Sequence, residues 1–108
     1  MNPGYFTERE YVITDMKPRR PWNNYLWNEE AVCQCDQFGN GCSWRAIGTQ
    51  RRDIERGDRN LYIKDKESGE IYSANRNHAD LPFDKHECHV GLGYQTVESA
   101  YNGLESTF

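Results

Sequence analysis

The chain has 108 residues, 13 basic and 17 acidic side chains, a net charge of -4 and 36% hydrophobic residues, with a mean hydropathy of -1.00. That length allows one small domain with a thin core, and seven Tyr, four Phe and three Trp argue against a disordered chain. The acidic balance and the interrupted basic residues exclude a nucleic-acid binder, while the lack of a long apolar run and of a basic-then-apolar leader leads us to expect a cytoplasmic protein with no membrane span.

Tyr5-Phe6 and the run Arg9 to Thr14 are aromatic and β-branched and read as one strand. Pro18 and Pro21, with Arg19 and Arg20 between them, then hold an extended connector and keep helix away from the residue before each proline. This arm delivers Pro21 to Asn28, which holds two of the three tryptophans. Ring faces on Trp22, Tyr25 and Trp27, with amides on Asn23, Asn24 and Asn28, suit a carbohydrate surface or a wet interface. In a small β protein, tryptophans beside a strand plug the core more often than they form ligand platforms.

Ala31 to Asp36 alternates and reads as a strand with Ala31, Cys33 and Cys35 on one face. Gln37-Phe38-Gly39-Asn40-Gly41 is a turn, and Cys42 to Ile47 returns as the second arm of a hairpin, carrying Trp44 as a further stacking candidate. Arg51, Arg52, Arg56 and Arg59 are interleaved with Asp53, Glu55 and Asp58, so a solvated, self-paired surface is the better reading than an anion trap. Asn60 to Asp65 and Glu70 to Ala74 form a second hairpin, Asn75 to Lys85 is a surface loop, and His86 to Ser99 is the longest β-like run. Asn102-Gly103 is a hairpin dipeptide leading into Leu104 to Phe108. The chain stops within that strand, which suggests a piece of a longer polypeptide with sheet edges for something else to cover, and predicts self-association or marginal stability of the piece alone. The pattern predicts an all-β, mostly antiparallel β-sandwich without helix or repeat.

Zinc ligand types occur in Cys33, Cys35, Cys42, His86, Cys88 and His89, but the spacing matches no known cage. No metal site is expected, and the four cysteines read as free thiols. Cys88 beside His86 or His89 lacks the orienting geometry of a nucleophile pair. Glu29, Glu30, Asp36 and Glu87 offer carboxylates without an evident cleft to tune them. Gly91-Leu92-Gly93 lacks the third glycine and the helix of a dinucleotide site.

Five stretches together resemble the amino-terminus of glycoside hydrolase family 94, the cellobiose and chitobiose phosphorylases and their relatives. They are Gly4-Tyr5-Phe6, Arg9 to Asp15, Pro21 to Leu26, Tyr62 to Asp65, and Glu87 to Tyr94, in the family's order. The resemblance implies that residues 1–108 are a single β domain, the amino-terminal part of a longer supersandwich of the mutarotase-like carbohydrate-binding type. It also implies a parent enzyme that performs inverting phosphorolysis of a β-linked glucoside such as cellobiose. In that chemistry an Asp general acid on an (α/α)6 barrel protonates the leaving oxygen while inorganic phosphate attacks the anomeric carbon. The barrel is absent from this chain, so the segment itself is expected to be structural or interfacial, with no catalytic residue, no metal ligand and no cofactor beyond the parent's phosphate co-substrate. The expected partners are the remainder of the parent polypeptide, a second subunit at a dimer interface, and a β-linked oligosaccharide. The Cys33 to Trp44 stretch departs from the cellobiose phosphorylase pattern in being cysteine-rich, so another β-linked glucoside is equally compatible. The competing class is an autonomous carbohydrate-binding module that stacks sugar on Trp22, Tyr25, Trp27 and Trp44, with Asn23 and Asn24 reaching its hydroxyls.

Overall fold

Short alternating segments separated by Gly, Asn and Asp favour strands and tight turns over helix. The computed structural model describes residues 2–75 and 80–108, and over those residues it is built from antiparallel strands without a helix. In chain order these are β1 (Gly4–Phe6), β2 (Tyr11–Ile13), β3 (Asn24–Trp27), β4 (Ala31–Cys35), β5 (Gly41–Ile47), β6 (Gln50–Gly57), β7 (Tyr62–Lys64), β8 (Ile71–Ser73), β9 (Lys85–Gly91), β10 (Tyr94–Tyr101) and β11 (Leu104–Thr107). They form a five-stranded sheet in the order β1-β2-β9-β10-β11, a four-stranded meander β3-β4-β5-β6, and the pair β7-β8.

Three local expectations are revised. The strand expected from Tyr5 to Thr14 is a hairpin, because Thr7 turns the chain. Its N–H donates to the Glu10 carbonyl at 2.8 Å and its hydroxyl oxygen accepts the Glu10 N–H at 3.0 Å. The long run from His86 is two strands, β9 and β10, folded back at Leu92-Gly93. The arginine-rich segment is itself a strand, β6, which pairs with β5 along its length while every one of its residues faces water. The other turns follow the sequence. Asn102 and Gly103 take φ of 50° and 77°, the pair of positive values that a two-residue hairpin loop requires.

The core of the five-stranded sheet is a row of direct register partners, Ile13 on β2, Cys88 on β9 and Val97 on β10, flanked by Tyr11 and Val90. Burying an Ile or Val of this kind contributes about 1.5–3 kcal/mol. A second, aromatic core joins the small sheet to the large one. Tyr72 packs edge-on to Tyr101 at 4.9 Å between centroids, with Phe83 against both and against His86.

The three sheets meet at Asn75, which was expected in a surface loop and is instead fully buried. Its amide donates to the carbonyls of Phe38 and Arg59, each at 2.7 Å, and its Oδ1 accepts the Leu61 N–H at 2.9 Å and the Ser73 hydroxyl at 3.1 Å. Its own carbonyl lies 3.1 Å from His86 Nε2. Residues 76–79 of that expected loop lie outside the described residues.

Arg59 also departs from the self-paired surface. Arg51 and Arg56 do pair with Asp53 in the open, but Arg59 turns inward after β6 ends. Its guanidinium reaches Glu55 at 2.9 Å, Ser43 Oγ at 2.9 Å and the Gly39 carbonyl at 3.2 Å. The fold is open rather than closed around one core. The radius of gyration is 15.4 Å against about 13 Å for a compact domain of this length, and the accessible area is 7732 Å² against about 6,200 Å² from the scaling for this mass. Both sheets therefore keep uncovered faces.

Candidate functional site

The residues singled out for sugar contact fall into two places. Trp22 precedes β3, where Gln37 fixes the arm by accepting the Trp22 N–H on its side-chain oxygen at 3.0 Å. The indole then stacks on Tyr11, with centroids 5.3 Å apart and planes 19° from parallel, while Phe6 meets the same Tyr11 edge-on at 4.6 Å. A cleft of about 330 Å³ opens here, lined by Phe6, Tyr11, Ile13, Trp22, Asn23, Asn24 and Val90. The Asn24 amide nitrogen is buried beside it without a hydrogen-bond partner among the described residues. Aromatic walls with one unmet donor suit a ring bearing a hydroxyl or carbonyl oxygen.

Tyr25, Trp27 and Trp44 sit elsewhere. Residues two apart on a strand share a face and direct register partners lie side by side. Trp27 opposes Val32 and Val32 opposes Trp44, so the two indoles flank Val32 on one face of the meander, with Tyr25 in the next row. Trp27 is 75% exposed and Tyr25 53%. Trp44 is partly covered by the Arg51 guanidinium, 4.0 Å from its ring centroid, a cation–π contact that screens one ring face. The opposite face of the meander, with Leu26, Cys33 and Ser43, borders a cavity of about 240 Å³ that also meets Arg59, Gln95, Val97 and Phe108. Asn28 is turned into the β3–β4 hairpin, where its Oδ1 accepts the N–H groups of Glu30 and Ala31.

Of the remaining chemical groups, Glu87 and His89 lie together on β9, 3.1 Å apart, while the cysteines, His86 and the other carboxylates are dispersed. Cys88 is in the core, and burial pushes its thiol up to about 12. His86 is held by the Asn75 carbonyl and its pKa is lowered by burial. No thiolate–imidazolium pair forms from these two. Cys35, on the inner face of β4, is raised to about 11, again chiefly by burial. Cys42 is on the outer face, its sulfur meeting Arg51 and Gln34. Glu29 and Glu30 are exposed, and Asp36 spends Oδ1 on the N–H groups of Phe38 and Asn40.

Sequence reasoning missed Asn75, Gln37 and Gln95. Gln95 spans the two large sheets, accepting from the Cys35 thiol at 3.3 Å and donating to the Asp36 carbonyl. An isolated amide carries no periodic signal, so only its partners, distant in the chain, reveal its role.

The profile of the family described as Glycosyl hydrolase 94, supersandwich domain, matches residues 9–108. The chain is similar to solabiose phosphorylase of Paenibacillus borealis, 33% identical over 94% of this chain and 15% of the relative. It is also similar to 3-O-beta-D-glucopyranosyl-beta-D-glucuronide phosphorylase of the same organism, 33% identical over 96% and 14%. With N,N'-diacetylchitobiose phosphorylase of Vibrio furnissii it shares 29% identity over 99% of this chain and 15% of the relative. The chain thus spans about one seventh of the length of these relatives.

Proposed function

This chain belongs to glycoside hydrolase family 94, in its supersandwich domain, and on that footing we propose that it is the amino-terminal β segment of an inverting glycoside phosphorylase. The parent enzyme cleaves a β-linked disaccharide with inorganic phosphate, and a catalytic barrel elsewhere in the polypeptide supplies the general acid. The segment is non-catalytic and provides sheet faces on which the rest of the polypeptide, and a second subunit, pack.

One observation carries this reading: the match to the supersandwich domain over residues 9–108, joined to similarity with phosphorylases of several different disaccharides. The accessible area in excess of that of a closed domain supports the packing role, since uncovered faces of both large sheets suit a larger assembly. Variation in substrate among the named relatives favours no particular sugar, and cellobiose is one β-linked candidate among others. Four free thiols support a reducing, cytoplasmic setting. Among the described residues no helix is long and apolar enough to cross a membrane.

The test is expression of the full-length polypeptide with a panel of β-linked disaccharides, cellobiose included, assaying release of a sugar 1-phosphate. Phosphate-dependent release from at least one disaccharide by the full polypeptide, and none by residues 1–108, is expected. No release by the full polypeptide from any of them overturns the phosphorylase reading.

A second reading, direct carbohydrate binding by the segment, is favoured by the outer face on which Tyr25, Trp27 and Trp44 stand together. Titration with cello-oligosaccharides, followed by tryptophan fluorescence, would give saturable shifts if it holds. Silence up to millimolar sugar removes it.

A further inference from the structure

Outside the aromatic surfaces, one cluster of ionisable side chains lies on the face of the five-stranded sheet opposite Cys88. Glu87 and His89 are two apart on β9 and share that face, and Glu98 on β10 is the direct register partner of Glu87. Two carboxylates set directly opposite each other repel unless a cation lies between them. His89 Nε2 donates to Glu87 Oε2 at 3.1 Å and lies 3.7 Å from Glu98 Oε2, so an ion bound here takes the place of the Nε2 proton. These separations bracket the edge of about 3.4 Å that a tetrahedral zinc ion imposes on ligands at its usual bond lengths.

The other imidazole nitrogen is already committed. His89 Nδ1 donates to Glu10 Oε2 at 2.8 Å, and the Tyr94 hydroxyl donates to Glu10 Oε1 at 2.6 Å. A carboxylate bound to the far nitrogen is the arrangement that orients metal-ligating histidines and raises their basicity. Here it fixes the ring so that Nε2 faces the two glutamates. The three side chains are half-buried or better, on rigid paired strands. In this structure the Lys85 ammonium sits among them, 2.7 Å from Glu98 and 3.5 Å from Glu87. The lysine side chain is 46% exposed, so it can swing into water when a stronger cation takes its place.

We propose that Glu87, His89 and Glu98 are the three ligands of a divalent cation site of the zinc class. Glu10 and Tyr94 position His89, Lys85 is the displaceable counter-charge, and the fourth coordination position is open to solvent. One imidazole with two carboxylates suits a borderline cation such as zinc better than magnesium. The ion would clamp β9 to β10. This inference is independent of the phosphorylase reading, because its readout is binding.

The experiment uses the full-length polypeptide, stripped with chelator and titrated with zinc chloride by calorimetry, with magnesium chloride as control. One zinc per chain is expected, with magnesium silent, and cobalt should give the visible spectrum of a low-coordinate site. Glu98→Gln, an isosteric change at a partly exposed position, is expected to weaken zinc at least about tenfold. Glu10→Gln, which touches no metal, is expected to weaken it about 10–100-fold while keeping the stoichiometry. A Cys33→Ser, Cys35→Ser, Cys42→Ser variant should bind as the unmodified protein does. Absence of saturable binding up to millimolar zinc in a protein that melts cooperatively overturns the proposal. So does zinc binding that survives Glu98→Gln and disappears in the serine variant.

Discussion

Replacing Asn75 with alanine removes the side chain on which three sheets converge. The substitution strips partners from the Phe38 and Arg59 carbonyls and the Leu61 N–H, and removes one partner of Ser73, all served by one fully buried amide. A buried polar group left unpaired costs about 1–3 kcal/mol, and water admitted to the vacated space recovers part of that, so a loss of about 3–5 kcal/mol is expected. Against a total stability of about 5–15 kcal/mol for a domain of this size, that is a large fraction. In urea, with a slope of about 1–3 kcal/mol per molar, the midpoint should fall by about 1 M or more at unchanged slope.

Asn75→Asp makes a finer test, because the shape is kept and only the two donated bonds are lost. The new carboxylate would face two carbonyl oxygens in a buried site, and its folded pKa would rise above the unfolded value of about 3.9. Its neutral form is then favoured by folding. The stability is retained below that unfolded value and is lost as pH rises through the folded pKa. The aspartate variant should therefore approach the parent protein in acid and fall away toward neutrality. An Asn75→Ala cost under about 1 kcal/mol, or an Asn75→Asp deficit that ignores pH, would refute the hub assignment.

The tryptophans should separate in the same assay. Trp22→Ala breaks the stack on Tyr11 and is expected to cost about 1–2 kcal/mol, whereas Trp27→Ala on the open face should cost less than about 1 kcal/mol. Equal costs, measured by urea midpoint, would contradict the division between cleft and outer face. Among the thiols, partly exposed Cys33 and Cys42 should be alkylated before buried Cys35 and Cys88. Uniform rates by mass spectrometry would count against the burial described. Because burial raises Cys35 from 9.0 to about 11, folding favours its protonated form. That contribution is complete below pH 9 and fades as pH climbs toward 11, a decline that Cys35→Ala should lessen in alkaline melts.

Much of this molecule is written in contiguous residues. The strand from Ala31 to Cys35, the glycine turn after it, and the Asn102-Gly103 hairpin follow from period-two alternation and from residues that tolerate positive φ, which are properties of a few neighbours. The family likewise rests on ordered runs such as Glu87 to Tyr94, and the match over residues 9–108 bears it out. Composition also marked Trp22, Tyr25, Trp27 and Trp44 as large rings in need of a partner.

Which partner each ring finds depends on contacts far apart in the chain. Trp22 meets Tyr11 because Gln37 anchors the arm, while Trp27 and Trp44 stand on either side of Val32 because the meander pairs in one register and not its neighbour. Shifting that register by one residue would turn Trp27 to the inner face, and nothing local forbids it. Arg59 and Asn75 make the same point for polar groups. Both lie in stretches whose composition suits a solvated surface, and both are drawn inward because backbone carbonyls at the sheet junctions need donors that water cannot supply there.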